Sequence, residues 1–525
     1  MLKPTLLSIV FAFVLSASAQ DGDNGQHSRK KNIAEGLHYE AELQASVADG
    51  VTPLWLNANR YGLSSLEGTN GYLRGALIRP LSNDSASRWG IGYGVDIALP
   101  CNYTSDIVVQ QAYAEVRWLH GVLTVGSKQQ PMELKNSLLS SGSQTLGINA
   151  RPVPQVRLAL PDYWCLPFAN GWLHLKGHVA YGMMTDDNWQ HEVTRQQTKY
   201  ADHVLYHSKA GYLKIGNEDV FSPWSLELGL EMACLFGGTP YRMLDGELVK
   251  VPTGTGFKDF LNAFLPGGSD PGEGLYGNVE GNHLGSWVFR LNHESDTWSW
   301  SVYGDHFFED HSQMFLLDYN GYGKGEEFNV RKDNRYFMYA LKDMMLGAEL
   351  SFRYGSWIKG IVLEYIYTKY QSGPYNHDRT VNIPDHIAGT DNYYNHSIYP
   401  GYQHWGQVMG NPLYRSPLYN GDGTINVDNN RFVAFHLGLC GQPTSRLDYR
   451  MMATWQAGWG TYDNPYTRKH HNVSLMLQGN YRFPGGWKAG AALGADFGYI
   501  LGHNYGMQLT VAKSGIIGEK KRKGK

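Results

Sequence analysis

Residues 447–459 read Leu-Asp-Tyr-Arg-Met-Met-Ala-Thr-Trp-Gln-Ala-Gly-Trp, with apolar side chains at every odd position and mostly polar ones or glycine between them. Successive side chains of a β-strand point to opposite faces, so this pattern predicts a strand with one apolar and one polar face. The same alternation recurs in residues 173–183, 226–234 and 472–483. Such segments have about ten residues, the length that a tilted strand needs to cross a membrane.

Two-faced strands also build soluble sandwiches and barrels, in which the apolar face turns inward. Tyrosine and tryptophan recur near the ends of the segments, however, where their rings would lie at the depth of lipid headgroups. The polar faces mix charge with glycine, as a packed or wet lumen requires. We therefore predict an all-β fold, a transmembrane antiparallel β-barrel of about 16–18 strands in the outer membrane of a Gram-negative bacterium. The aromatic positions are Trp89, Trp298, Trp357, Trp459, Trp487 and Tyr499.

Short and long connections alternate along the second half of the chain. Outer-membrane barrels have short periplasmic turns and long extracellular loops. A carboxyl terminus in the periplasm would therefore place every long connection outside the cell. The predicted turns are 294–297, 355–356, 442–445 and 484–486, and the predicted loops are 238–283, 307–344, 370–430 and a shorter one near 460–470.

Two segments depart from the alternation. Residues 128–172 contain the run 131–140 and the proline-containing run 151–167, which predict a helical or irregular insert within a barrel that spans 36–512. Phenylalanine and leucine recur at helical spacing over 257–265 in one long loop. We interpret this run as a short helix that covers the lumen, with a partner-binding helix as the alternative. The residues concerned are Phe257, Phe260, Leu261, Phe264 and Leu265.

The amino terminus has the composition of a secretory signal peptide. Lys3 precedes an apolar run over 6–15 and small residues at 17–19. We expect residues 1–19 to be this peptide and 20–35 to be a periplasmic segment. At the other end, residues 513–525 form a basic tail that we expect to be solvated rather than to bind a partner.

The composition excludes several classes of protein. The mature chain has no run of about 18 uncharged apolar residues, so a transmembrane helix is not expected. A formal net charge of −3 provides no field to attract nucleic acid. The four cysteines allow three pairings in an oxidising compartment, among which the sequence does not choose. They are Cys101, Cys165, Cys234 and Cys440.

Several connected stretches resemble the Wzi-type capsule assembly family, as it occurs in relatives of the Bacteroides group. The resemblance spans roughly residues 36–512. The first motifs are Ser140-Ser141-Gly142, Asn149-Ala150-Arg151-Pro152-Val153-Pro154-Gln155-Val156 and Leu160-Pro161-Asp162-Tyr163-Trp164. The later ones are Gly281-Asn282-His283-Leu284-Gly285-Ser286-Trp287, His306-Phe307-Phe308-Glu309-Asp310-His311-Ser312, Asp391-Asn392-Tyr393-Tyr394-Asn395-His396, Gln403-His404-Trp405-Gly406 and Gly410-Asn411-Pro412.

This resemblance implies an 18-stranded outer-membrane barrel with a helical insert toward the periplasm. It also implies a lectin-like role, in which the protein attaches exported capsular polysaccharide to the cell surface. The partners would be that polysaccharide, outer-membrane lipid and lipopolysaccharide, and a monomer is favoured. The sequence departs from other outer-membrane barrels in one respect, because a basic tail rather than a terminal aromatic residue follows the last strand.

The loop over 371–430 combines aromatic rings with amide and carboxylate groups. Flat rings can cover apolar sugar faces while polar neighbours form hydrogen bonds, which suits a polysaccharide surface. The rings could equally pack the loop upon itself as a lid over the lumen, and the two interpretations are compatible. The candidate contacts are Tyr393, Tyr394, His396, Tyr402, His404, Trp405 and Asn411.

A second polar group has the ligand types of a divalent cation site. We prefer the interpretation as a strand end that opens into a solvated loop, so we predict no metal and no cofactor. The signatures HExxH and GxSxG do not occur, and we predict that the protein is not an enzyme. An outer-membrane hydrolase would need two lumen carboxylates at glycosidase separation. The group consists of Asp305, His306, Glu309, Asp310 and His311.

A channel or transporter for saccharides or other small solutes is the alternative function. It is motivated by charged side chains on the predicted lumen faces. An insert that fills the lumen would argue against it. The side chains concerned are His174, Lys176, His178, Glu227, Glu231, Asp448 and Arg450.

Overall fold

The computed structural model shows a closed antiparallel barrel of 18 strands, which confirms the predicted fold class. It describes residues 36–217, 220, 222–265, 281–309, 320–322, 325–327, 330–333, 342–355, 357–377 and 386–517, so the predicted signal peptide and residues 518–525 lie outside it. The barrel strands are β1 (Leu37–Asp49), β2 (Thr69–Arg79), β3 (Trp89–Cys101), β4 (Val108–Trp118), β5 (Gly121–Ser127), β6 (Gln155–Cys165), β7 (Leu173–Met183), β8 (Leu205–Ile215), β9 (Trp224–Phe236), β10 (Asn282–Glu294), β11 (Trp298–Glu309), β12 (Met344–Phe352), β13 (Gly360–Tyr367), β14 (Phe432–Gly441), β15 (Leu447–Gly460), β16 (Pro465–Arg482), β17 (Trp487–Gly498) and β18 (Asn504–Ile517).

Each strand pairs with its neighbour in the chain, and β18 pairs with β1 from Leu37↔Ile517 to Asp49↔Tyr505. Closure leaves no strand edge unpaired within the wall. The helices are α1 (Leu54–Asn57), α2 (Trp189–Thr194) and α3 (Phe257–Phe264). Short strands outside the wall are Tyr200–Asp202, Thr239–Leu244, Glu247–Lys250, Asn320–Tyr322, Arg331–Asp333, Ser372–His377, His386–Thr390, Gln403–His404 and Gln407–Val408.

The apolar face of the wall points outward. On β18, Met507, Leu509 and Val511 are exposed, whereas the intervening Gln508 is buried toward the lumen. Near the ends of β3 and β4, the exposed rings of Trp89 and Trp118 stack with their centroids 6.0 Å apart. A soluble barrel would bury this face, so the protein is a multi-pass β-barrel of the outer membrane.

Both ends of the barrel chain lie at the end of the barrel that carries the short turns. The connections 295–297, 442–446 and 483–486 are short, whereas 368–431 is long and lies at the opposite end. We assign the short-turn end to the periplasm. The longer loop predicted near 460–470 is wrong, because β16 already begins at Pro465 and only residues 461–464 connect it to β15.

The predicted insert is shorter than the sequence indicated. Residues 155–165 form β6, and its register with β7 shifts between Leu160 and Trp164. Pro161 lies in this shift, where its missing N–H removes a ladder bond. The remaining segment, 128–154, is irregular and contains no helix, so the helical insert implied by the resemblance is corrected.

The helix predicted over 257–265 is confirmed as α3, but its position differs from the prediction. It packs on the outside of the wall, where Phe260 and Ala263 contact the outward-facing Cys234 and Phe236. The Tyr181 hydroxyl, also outside, donates a hydrogen bond to the Phe260 carbonyl at 2.8 Å. The helix therefore does not cover the lumen.

Among the described residues, no helix is long and apolar enough to cross a membrane. All four cysteines are free, and Cys101 and Cys165 are exposed.

Candidate functional site

Two segments of the chain fill the lumen of the barrel. One is the insert 128–154, which follows β5, and the other is the loop 391–430, which joins the long-loop ends of β13 and β14. We call these two segments together the plug. Four large rings of the plug are fully buried against four rings from its surroundings. The plug rings are Tyr393, Tyr394, Tyr402 and Tyr414, and the surrounding ones are Trp55 of α1, Tyr303 and Phe307 of β11 and Phe432 of β14.

Three buried carboxylates of the wall hold the insert. Glu364 accepts hydrogen bonds from the Ser140 hydroxyl at 2.5 Å and from the Ser141 backbone N–H at 2.8 Å. Asp305 accepts one from the Gln144 N–H at 3.0 Å and pairs with the Lys135 ammonium at 2.8 Å. Hydrogen bonds to charged groups are stronger than neutral ones, so these contacts fix the insert across the lumen.

The third carboxylate, Glu231, lies on β9, two strands from Asp305 in the same part of the wall. It accepts a hydrogen bond from the Ser143 hydroxyl at 3.2 Å and one from the Tyr212 hydroxyl at 2.9 Å. Asn136 reaches Glu349 on β12 at 2.8 Å, and the Leu138 carbonyl accepts from Arg450 on β15 at 3.0 Å. The insert is therefore bonded to strands on several sides of the wall.

The loop 391–430 lies on the insert and is bonded to it. The Tyr402 hydroxyl donates to the Thr145 carbonyl at 2.8 Å, and the Tyr394 hydroxyl donates to the Gln144 carbonyl. Asn149 donates from Nδ2 to the Val408 carbonyl at 2.9 Å. The two segments thus form one folded unit with backbone groups satisfied by side chains.

Asp343, just before β12, anchors the loop to the wall. Its carboxylate accepts hydrogen bonds from the N–H groups of Tyr370 at 2.9 Å and Gln371 at 2.6 Å, and from the Tyr393 hydroxyl at 2.9 Å. Burial raises the pKa of Asp343 to about 6, although the three donors act in the opposite direction.

Five of the seven predicted polysaccharide contacts are buried in the plug. Tyr393, Tyr394, Tyr402, His404 and Asn411 are at most 4 % exposed. These side chains therefore do not lie on an outer binding surface, contrary to our prediction. The side chains of the wall are too short to fill so wide a lumen, and the rings of the loop fill the remaining space. The lid interpretation of the loop describes what is observed.

The other two predicted contacts are half-buried. Burial and the nearby Lys199 lower the pKa of His396 to about 3, and its Nδ1 accepts hydrogen bonds from the N–H groups of Ile398 and Tyr399. The ring of Trp405 lies under the guanidinium of Arg151, whose Cζ is 4.1 Å from the ring centroid.

His404 is locked in one tautomer by its neighbours. Its Nδ1 donates to the Arg151 carbonyl at 2.8 Å, and its Nε2 accepts from the Thr185 N–H at 3.1 Å. Burial lowers the pKa of His404 to about 4. A second proton on Nε2 would meet the Thr185 donor, so this ring is neutral in the folded plug.

The predicted polar group is divided between the two faces of β11. Asp305 and Glu309 point into the plug, where Glu309 accepts a hydrogen bond from the Tyr394 N–H at 2.5 Å. His306 lies on the opposite face, and its Nδ1 bonds the Asp343 carbonyl at 2.7 Å. Asp310 and His311 lie outside the described residues. Within the described residues, no three His, Cys, Asp or Glu side chains form a group that could hold a metal ion.

The side chains that motivated the channel interpretation do face the lumen, and three of the seven bond the insert. The other four, His174, His178, Glu227 and Asp448, bond the wall or a turn. Lys176 pairs with Glu133 of the insert at 2.6 Å. Glu227 accepts from the Tyr163 hydroxyl at 2.6 Å. Glu231 and Arg450 bind the insert as described above.

The sequence missed one lumen feature, a cavity of about 100 Å³ between the insert and strands β5 to β8. Lys128, Glu133, Arg151 and Arg157 contribute charged groups to its lining. None of the ion pairs among the described residues involves Arg157. Because β6 was predicted to be irregular, the direction of this side chain could not be predicted.

No protein-family profile and no curated protein matches the chain. Among solved structures, it is similar to Pseudomonas aeruginosa OprD, with 10% identity, 95% of this chain and 100% of that chain covered, and a TM-score of 0.44. Pseudomonas aeruginosa OccK3 (OpdO) is 12% identical, with 92% and 96% covered and a TM-score of 0.41. A loop-deletion mutant of OmpT, an outer membrane protein of Vibrio cholerae, is 7% identical, with 92% and 100% covered and a TM-score of 0.33.

Proposed function

We propose that the protein is a non-conducting barrel that holds a capsular polysaccharide at the cell surface and is not an enzyme. The observation that carries this proposal is the plug. Its two segments bond to each other and to strands on several sides of the wall through buried polar groups. A solute path through the centre would require breaking these bonds together, and each buried group left without a partner costs about 1–3 kcal/mol.

The choice of polysaccharide as the ligand rests on the sequence resemblance. The motifs that carry this resemblance contact one another in the plug. His404 donates a hydrogen bond to the Arg151 carbonyl, and Asn411 donates one to the Gly142 carbonyl. The motifs therefore support a shared closed architecture, and we do not propose their buried side chains as sugar contacts. We place the contact surface on the solvent-facing rim above the plug, where Ser397, Asp422 and Asn464 offer exposed hydroxyl, carboxylate and amide groups.

A deletion strain tests the proposal directly. Loss of the protein should move polysaccharide from washed cells into the medium while total export stays the same. Complementation with the intact gene should restore the cell-bound fraction. If the deletion strain keeps all of its polysaccharide on the cell, the assignment is wrong.

A channel for saccharides or other small solutes is the second candidate, and the cavity beside the insert favours it. Its lining carries three cationic side chains and one carboxylate, so a path through it would prefer anions. Purified protein in planar bilayers should show no stepwise conductance under the first proposal. Conductance that shifts from anion toward cation preference in Arg157→Glu would establish the second.

A further inference from the structure

Four cations lie on aromatic rings at the outer rim of strands β13 to β17. Two of them share one ring: the ammonium groups of Lys369 and Lys469 lie 4.4 Å and 5.9 Å from the ring centroid of Trp459. Such contacts orient a cation without neutralising its charge. The four cations, called the basic ledge below, are Lys369, Arg431, Arg468 and Lys469.

The two arginines of the basic ledge have rings of their own. The Cζ atom of Arg431 is 3.6 Å from the ring centroid of Tyr462, and that of Arg468 is 5.2 Å from the ring centroid of Tyr499. A guanidinium stacked in this way keeps its edge N–H groups free for a planar or tetrahedral anion.

Backbone hydrogen bonds fix the centre of the basic ledge. The Arg431 N–H donates to the Gly460 carbonyl at 3.1 Å, and the Trp459 N–H donates to the Arg431 carbonyl at 2.8 Å. The Arg431 Nε donates to the Lys369 carbonyl at 3.3 Å. Arg431 thus faces both Trp459 and Gly460, the pairing of a β-bulge, and side-chain alternation holds up to Arg431 on β14 and Trp459 on β15. Beyond this level the register of β15 with β16 shifts between Gly458 and Gly460, so alternation does not give the direction of residues 466–469.

That alternation directs the centre of the basic ledge toward the membrane. On β14 the outward-facing Phe435 is exposed, and Arg431 lies four residues before it on the same face. On β15 the outward-facing Trp455 is exposed, and Trp459 lies four residues after it. The centre of the basic ledge, formed by Arg431 and by the two lysines on the Trp459 ring, therefore lies above the apolar belt, at the level of the outer headgroups. Arg468 lies beside this centre, on the Tyr499 ring.

The charges of the basic ledge have no carboxylate partners among the residues that the structure describes. Within the described part of the chain, none of the ion pairs includes any of its four cations. Like charges that converge on neighbouring rings repel one another unless an anion lies between them. In the loop 391–430, by contrast, Arg415 has such a partner in Asp428 at 3.1 Å.

We propose that the basic ledge binds the phosphate groups of outer-leaflet glycolipids. Phosphate suits both residue types present, because arginine donates two parallel hydrogen bonds and lysine supplies a point charge. Trp459 and Tyr499 extend the site toward the acyl chains, since amphipathic rings lie at headgroup depth. This site is separate from the polysaccharide function proposed above and stands without it.

The test measures binding of lipid A by the purified full-length protein in detergent, with native mass spectrometry at fixed salt. The probes are lipid A with both phosphates, the same lipid with its phosphates removed, and inorganic phosphate. The variant Lys369→Gln/Arg431→Gln/Lys469→Gln removes three charges and keeps polar side chains. At about fivefold per cation near an anionic surface, we expect binding to fall on the order of a hundredfold.

A matched control removes three exposed cations from the periplasmic end, Lys359→Gln/Arg446→Gln/Lys488→Gln, and should bind as the unmodified protein does. Heat-modifiable gel mobility reports that both variants are folded. Equal binding of phosphorylated and dephosphorylated lipid, or equal binding by the ledge variant, would overturn the proposal. Saturation of the site by inorganic phosphate alone would also overturn it. A ledge variant that still binds lipid A but no longer retains polysaccharide would overturn it as well.

Discussion

Asn411 donates a hydrogen bond from Nδ2 to the Gly142 carbonyl at 2.8 Å, across 269 positions of the chain. The same side chain accepts from the Leu413 N–H at 2.9 Å, so it links the loop 391–430 to the insert and also shapes the loop itself. Gly142 has φ +136°, and a Cβ there would lie 2.9 Å from Pro412. The two halves of the plug are thus fitted to each other at this point.

Asn411→Ala should loosen the plug without unfolding the wall. It leaves buried groups of the insert and the loop without partners, at about 1–3 kcal/mol for each group. Hydrogen exchange should accelerate over 391–430 and 128–154, while the strands stay protected and heat-modifiable gel mobility is unchanged. Asn464→Ala, at an exposed position, is the control. Unchanged exchange in the plug would show that this link does not hold the two segments together.

Glu364→Ala should release the insert more strongly than Glu349→Ala. Glu364 accepts from Ser140, Ser141 and the Tyr303 hydroxyl and is buried, whereas Glu349 accepts from Asn136 and Arg290 and is less buried. Loss of several charge-assisted bonds costs about 1.5–3 kcal/mol for each bond. Limited proteolysis within 128–154 measures the effect, and equal cleavage in the two variants would contradict it.

Much of the barrel was predictable because the decisive signal is local. In a strand such as β15, the alternation of its own residues is enough to predict which face is apolar. Trp455 lies outside and Gln456 is buried inside, as this alternation predicted. The two strands that were not predicted correctly also have a physical explanation. β6 was missed because Pro161 interrupts its ladder, and β16 was predicted to start late because it rises above the lipid, where an apolar face is not needed.

The plug was not predictable from local pattern. Tyr394 stacks on Tyr414 with centroids 4.0 Å apart, inside a lumen whose walls come from the whole chain. A sequence of aromatic rings among polar residues is compatible with an exposed sugar site and with a packed lid. Only contacts between residues far apart in the chain distinguish these two structures. For α3, the helical spacing showed that one face is apolar, but not which surface of the barrel it would cover.

Acidification should loosen the plug. The folded pKa values of His404 and His396 are lowered to about 4 and about 3, so both rings take up protons on unfolding. Their contribution to stability is present above about pH 6.5, the ordinary value for histidine, and is lost as pH falls toward 4 and 3. The charged groups nearby, Arg151 beside His404 and Lys199 beside His396, add to this effect.

Asp343 acts in the opposite direction. The pKa of Asp343 in the folded protein is raised to about 6, whereas the ordinary pKa of an aspartate is near 4. Between these two pH values the folded state binds a proton that the unfolded state does not, so this carboxyl stabilises the plug increasingly as the pH falls. Burial also raises the pKa of Asp428 in the same loop, so it acts with Asp343, and we expect the two histidines to outweigh both carboxyls. Hydrogen exchange over 391–430 should therefore be faster at pH 5 than at pH 7, and less so in His404→Gln. Slower exchange at pH 5 would show that the two carboxyls dominate.

The outer face of α3 should lie in the outer leaflet. Phe257 is 86 % exposed, and Leu261 and Leu265 follow it at intervals of four residues, beside the face that packs on the wall. The helix covers Cys234, which lies about ten residues beyond Trp224 along β9, where the apolar band of a barrel ends.

In reconstituted vesicles of a Cys101→Ser/Cys165→Ser protein, a fluorophore at Phe257→Cys should be quenched by lipids that carry a quencher near the headgroup. The same fluorophore at Lys258→Cys, an exposed polar position about 100° around the helix axis from Phe257, should respond to iodide in the water instead. If both positions respond only to iodide, the helix stands clear of the membrane, and if neither responds, another protein surface covers it.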